Sequence, residues 1–238
     1  MRQTKFSFEV PYQHLMDFHE DQDFIFTLSM SFDDPRYTEY VTFVRDVGLK
    51  PIWIDNSFNE KFIAEPAGKL VDLYNQFRAV KIIAPDDITW GTEQILYSYN
   101  QLLEMLPHKH EQSAICVVSS YQMYLEMYDF GIRQFAVSYW TRKKFSTSEL
   151  REMDVHFLGL LDMVELQHVR PRSCDTSMPI KIALLGWDLQ QWCSHGYPHI
   201  NTKEMGMEGS DFFNMSLTNE QLELAKRNIR DLRRALNG

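Results

Sequence analysis

Short runs of apolar, β-branched and aromatic residues alternate along this chain with longer stretches whose apolar positions recur every three or four residues. Residues 24–32 (FIFTLSMSF) predict a strand. Residues 34–48 predict a helix, with Asp33 or Asp34 as N-cap, Pro35 in the first turn and Gly48 as the stop. A strand follows over 50–57, then a helix over 65–78 with Leu70, Leu73, Tyr74 and Phe77 on one face. The alternation continues as strand 79–87, helix 92–106, strand 113–120, helix 121–131 closed by Gly131, and strand 133–139. Residues 148–153 predict a short helix, 154–161 a strand, 163–169 a short helix and 170–177 a strand, with a helix beginning over 179–186. The clearest helical pattern is 218–238. It has a capping box from Thr218 to Gln221 and a stripe of Leu222, Ala225, Ile229, Leu232 and Leu236.

Repeated strand-then-helix units demand a parallel sheet with helical crossovers. Near-continuous apolar strands such as VKIIA and AICVV suit a sheet buried on both faces. A closed barrel and an open doubly wound sheet both fit. No G-x-G-x-x-G follows the first strand and no G-x-x-x-x-G-K-[ST] occurs, and the repeat count favours the barrel. The expectation is therefore an α/β fold, a single-domain (β/α)8 TIM-type barrel over 24–217. Residues 1–23 would form an N-terminal cover and 218–238 a C-terminal helix. The eighth strand is sought in 199–203 or 211–215.

Composition adds limits to this picture. Hydrophobic residues reach 44% and aromatics 13%, enough for a large core, and no run of eighteen apolar residues is present to span a membrane. The opening residues lack the apolar stretch of a signal peptide, and three cysteines at wide spacing argue against a disulfide framework. Both point to a cytoplasmic protein. The formal net charge is −9, from 24 Lys and Arg against 33 Asp and Glu, which opposes a phosphate-tracking basic face.

Chemistry in a barrel of this kind gathers at the C-terminal strand ends. Those ends carry Ser29, then Asp55-Asn56-Ser57, then Asp86-Asp87, Tyr139-Trp140, Gly159, and Asp175. One such aspartate is most simply a cap for the following helix. Three on converging strands would raise one another's pKa, which suits a substrate or a metal. No histidine accompanies them at a strand end, and His156, early in its strand, reads as packed or hydrogen-bonded. Cys193, His195 and His199 fit a surface loop better than a four-ligand zinc site.

In order and spacing, Asp55-Asn56-Ser57, Ala84-Pro85-Asp86-Asp87, the HFLGL run at 156–160 and the RSCDTSMP run at 172–179 resemble the tRNA-guanine transglycosylase superfamily. They are most similar to its compact zinc-lacking relatives, which place 7-deazaguanine bases in DNA. The resemblance covers roughly residues 24–187. It implies base exchange through a covalent aspartyl-glycosyl intermediate, with Asp175 as nucleophile and Asp55 as general acid/base. It further implies that Asp86 reads the base edge and that Gly159 meets the base carbonyl. Asp87, Asn56, Ser57, Ser29, Tyr139 and Trp140 would complete the substrate site. The expected partners are DNA rather than tRNA and a free 7-deazaguanine base, with no cofactor and no metal.

Arg142, Lys143 and Lys144 follow a strand end, and Arg172 flanks another. Together they are expected to line a phosphate track at the catalytic rim. A second reading, favoured by the acidic balance, is an N-glycoside hydrolase or base transferase acting on free nucleosides or nucleotides. A third is a catalytically silent barrel serving as a binding subunit.

Overall fold

The computed structural model describes residues 3–107, 113–159, 168–195, 205–207 and 209–237. Eight strands form one parallel sheet: β1 (Lys5–Phe8), β2 (Ile25–Leu28), β3 (Ile52–Asp55), β4 (Lys81–Ile83), β5 (Ala114–Val117), β6 (Phe135–Ser138), β7 (Val155–Leu158) and β8 (Ser173–Thr176). Their order, β1-β8-β7-β6-β5-β4-β3-β2, is that of a (β/α)8 barrel. The helices are α1 (Pro35–Val47), α2 (Phe58–Lys61), α3 (Ala67–Phe77), α4 (Thr92–Met105), α5 (Tyr121–Asp129), α6 (Tyr139–Arg142), α7 (Thr147–Glu152), α8 (Met178–Leu184), α9 (Leu189–Ser194), α10 (Gly209–Phe213) and α11 (Asn219–Asn237).

The eighth strand corrects the sequence reading. It lies within the expected N-terminal cover, as β1, which pairs with β8 in register Lys5↔Ser173 to Phe8↔Thr176. Residues 211–213 fall in α10, and 199–203 lie outside the described residues, as do residues 160–167, which hold most of the short helix expected over 163–169. The KFSF run is only four residues long, and its alternation is too brief to register as a strand. Residues 9–24 cross from β1 to β2 through the 3-10 turn Tyr12–His14, in place of a crossover helix.

The seam between β1 and β2 is closed largely by side chains. Phe6 N–H donates to Asp23 Oδ2 at 2.8 Å, and Phe8 N–H to Gln22 Oε1 at 2.5 Å. Phe26 N–H donates to Ser7 Oγ at 3.0 Å. These polar groups satisfy backbone donors that no neighbouring ladder reaches.

Elsewhere local chemistry sets the boundaries as the pattern predicts. Asp34 caps α1 by accepting from Arg36 N–H, and Gly48 ends it in the left-handed region at φ 67°. The Thr218–Gln221 capping box forms at α11, with both reciprocal bonds present. Its stripe of Ala225, Ile229, Leu232 and Leu236 is buried, and Asn228 ties it to the body by donating to Pro179 O and Trp187 O. The first predicted strand is shorter than expected. After Leu28 the backbone turns into a 3-10 segment, Ser29–Asp33.

Candidate active site

Side chains alternate between the two faces of each strand, so residues two apart share a face. An aromatic layer fixes which face looks inward. Trp53 on β3 and His156 on β7 approach across the barrel, with ring centroids 5.3 Å apart. Phe26 lies 5.2 Å from the same imidazole, and Phe24 stacks on Trp53 at 4.3 Å. Asp55, two residues beyond Trp53, therefore faces the mouth of the barrel above this layer. So does Asp175, two beyond Ser173, which contacts His156. Ala136 is in register with His156, which places Ser138 on the inner face as well.

Asp175 is the centre of the best-ordered cluster. Its carboxylate accepts the Gly159 amide at 3.0 and 3.2 Å and meets His156 Nε2 at 3.0 Å. A carboxylate only accepts, so Nε2 carries the ring proton and Nδ1 accepts from the Ser173 hydroxyl at 2.9 Å. Burial holds the imidazole below the ordinary histidine value, outweighing the upward pull of Asp175. The charges of Lys81 and Arg142 push it down further. The result is a neutral histidine locked between a serine and a carboxylate, all three within the barrel wall.

Gly159 is held in the left-handed region at φ 65°, and its amide points at Asp175. Its carbonyl is gripped from the other side by Arg142. That guanidinium is 1% exposed and, among the described residues, donates to Val137 O and Leu158 O at 3.0 Å each, and to Gly159 O. It also lies 4.5 Å from the Phe157 ring.

The strand ends of β2, β3 and β4 are braced together. Asp55 Oδ2 accepts Ser57 N–H at 2.8 Å, with Ser57 in the left-handed region at φ 56°. The Ser29 hydroxyl donates to Ser57 Oγ at 2.9 Å. Asn56 Nδ2 donates to Ala84 O at 2.7 Å and to Asp86 Oδ1 at 2.6 Å. Burial, with a smaller push from Asp87, raises the Asp86 carboxyl to about 6 against the lowering effect of the Asn56 bond. Asp87 accepts from Thr89 N–H and its hydroxyl, a local turn. Asp86 and Asp87 line a cavity of about 670 Å³ beside α3 and α4, with Glu65, Trp90 and Tyr97 among its walls.

The structure thus divides the predicted residues into groups. Asp175 and Gly159 are in direct contact. Asp55, Asn56, Ser57, Ser29 and Asp86 form a second linked set. Tyr139 is half-buried, and Trp140 is 57% exposed at the rim. The expected phosphate track is corrected. Arg142 is turned into the protein, where three carbonyls hold it. Arg172 immediately precedes β8 and so lies at the opposite end of the barrel. Lys143 and Lys144 remain exposed. Arg142 is a functional candidate that sequence reasoning misplaced; His156 is packed and hydrogen-bonded as expected, but its contact with Asp175 went unread. The available signal was parity, since His156 lies two residues before Leu158 on an otherwise apolar strand. Among the described residues no group of three or more His, Cys, Asp or Glu side chains is arranged to hold a metal ion. His199 lies outside the described residues, and His195 stacks on Trp187 at 5.4 Å. No helix is long and apolar enough to cross a membrane, among the described residues.

No family model and no curated protein matches this chain. Solved structures do. KGPDC from Streptococcus mutans aligns over 100% of both chains, with TM-score 0.54 and 11% identity. A putative dihydrodipicolinate synthetase from Pseudomonas aeruginosa covers 98% of this chain and 99% of its own, with TM-score 0.53 and 11% identity. A native KDPGal structure covers 100% and 97%, with TM-score 0.52 and 8% identity. At such identities the likeness establishes the TIM-barrel fold alone. It also corrects two expectations. These neighbours are decarboxylase, aldolase and synthase barrels, so neither the tRNA-guanine transglycosylase superfamily nor the glycosyltransferase class is supported. The motifs behind the resemblance are short Asp, Ser, Asn and Pro runs, which any strand-to-helix turn favours.

Proposed function

We propose that this protein is an enzyme whose reaction centre is Asp175, working by acid–base or electrostatic catalysis on a small uncharged or cationic substrate in the barrel mouth. The observation that carries the reading is the Ser173–His156–Asp175 chain, fixed by the Gly159 amide. Placing three polar side chains in a row through an aromatic core costs stability relative to apolar packing. Such an arrangement is what orienting a reactive carboxylate requires. Ser138 Oγ supports it, as a buried hydroxyl on the same inner face with no hydrogen-bond partner among the described residues.

The substrate class follows from charge. Asp55 and Asp175 face the mouth, while Arg142 is engaged by main-chain carbonyls. A phosphorylated substrate would meet carboxylates there, whereas an amine or a donor-rich neutral molecule would be attracted. Schiff-base chemistry needs an amine at the strand ends. Among the described residues, the strand lysines on the inner face, Lys5 and Lys81, lie at the other end of the barrel, Lys81 4.6 Å above the Trp53 ring.

The test is a thermal-shift screen of amines, polyols, nucleosides and sugar phosphates against the native protein and Asp175→Asn, with turnover of each hit followed by NMR. Cationic or neutral hits should appear, should be consumed, and should lose both binding and turnover in the variant. Absence of any cationic or neutral hit, or cationic and neutral hits indifferent to Asp175→Asn, would overturn the reading. Binding without turnover would favour a silent barrel instead.

A further inference from the structure

The end of the barrel opposite Asp175 holds a second, oppositely charged cavity. Its volume is about 520 Å³, and its walls include Lys5, Lys81, Arg172, Trp53 and Ser173. Each cation comes from the start of a different strand. Lys5 opens β1, Lys81 opens β4, and Arg172 immediately precedes β8. The three come together because parallel strands align all their N-terminal ends on one face. We propose that this floor cavity is a binding site for a small dianion of the phosphate or phosphate-monoester class.

Several features fit such a ligand. Gln134, just before β6, presents its Oε1 to Lys81 Nζ at 2.5 Å and to Arg172 Nη1 at 3.4 Å. One acceptor thereby gathers two cationic heads at the cavity edge. Among the described residues, the carboxylate paired with this group is Asp154, 3.5 Å from Arg172 and 54% exposed. Three positive charges against that negative one make the cavity locally cationic, in a chain whose formal net charge is −9. Remote acids are screened beyond about 8 Å at physiological ionic strength, so the local surplus governs what enters. Trp53 supplies an apolar wall for the organic part of an ester. The concave, axial position selects a free small anion, because the convex backbone of a nucleic-acid duplex cannot enter a pocket bounded by strand ends. The cavity also touches Ser173, the first member of the chain that leads to Asp175.

The site is tested on the full chain by titrating inorganic phosphate, pyrophosphate and a short DNA duplex while following the Trp53 indole N–H signal by NMR. Phosphate or pyrophosphate should shift that signal saturably, with an affinity that falls as salt rises. Lys81→Met and Arg172→Gln should each weaken binding at least tenfold, while Lys143→Met leaves it unchanged. Arg172 is a partly exposed loop residue, so its variant keeps the test valid should Lys81→Met fail to fold. Absence of a saturable shift, or equal binding by the native protein and Arg172→Gln, would overturn the proposal. A shift produced by the duplex but not by the small anions would also overturn it.

Discussion

Replacing Asp86 by asparagine should make the protein more stable, and the gain should depend on pH in a defined way. The Asp86 carboxyl is 7% exposed and its value is raised from the ordinary 3.8 to about 6, chiefly by burial. The folded chain therefore binds this proton more tightly than the unfolded chain does. Stability from this group is fully present below the unfolded value and is lost as pH rises through the folded value. The gap from 3.8 to about 6, at about 1.36 kcal/mol per pH unit, amounts to about 3 kcal/mol of penalty at neutral pH. Asparagine keeps an oxygen to accept from Asn56 and carries no charge to desolvate. Urea unfolding should find Asp86→Asn equal to the native protein near about pH 3.5 and more stable by about 3 kcal/mol at about pH 7.5. For a chain of this size that is a rise of roughly 6–12 °C in Tm. A variant that is less stable at neutral pH, or a difference that does not change with pH, would refute the reasoning.

Two further outcomes follow from the same geometry. Arg142→Met leaves the Val137, Leu158 and Gly159 carbonyls without their donor, and should cost about 3 kcal/mol or more in urea unfolding, with Arg142→Lys recovering part of it. An unchanged midpoint for Arg142→Met would contradict its anchoring role. Cys116 and Cys174 are fully buried and their thiols are held well above the ordinary range by burial, whereas Cys193 is half-buried. A thiol reagent should therefore label Cys193 in the native protein and reach the other two only after unfolding. Rapid labelling of Cys116 or Cys174 would show that the barrel wall opens.

Much of the barrel was legible because helical stops and caps act locally. Gly48, Asp34 and the Thr218 box do in the structure what their residue types do in any chain. What was not legible depends on partners far away in sequence. Lys5–Phe8 becomes a strand because β8 supplies its ladder, and nothing within four residues announces that. Arg142 looked like a rim cation because it begins a run of three basic residues. Its burial is decided by the Val137, Leu158 and Gly159 carbonyls that it reaches, a convergence that no sequence pattern displays. Arg172 belongs at the opposite end on the sequence reading as well: a strand over 170–177 already puts it near the N-terminal end, and the strand begins at Ser173. The strand-end aspartates were found correctly as positions, yet the bonds that separate Asp175 from the Asn56–Asp86 set arise only in three dimensions.

The position of β1 bears on how the molecule assembles. Its ladder partner is β8, and Thr4 donates to Pro171 across 167 positions of chain. During synthesis β1 precedes β8 and waits, with one edge bare, until the chain some 167 positions on has followed. The Gln22, Asp23 and Ser7 side chains along its other edge allow it to hold β2 meanwhile. The seam that keeps the finished ring shut is thus also the clasp that keeps its first strand from pairing with a stranger before the last strand arrives.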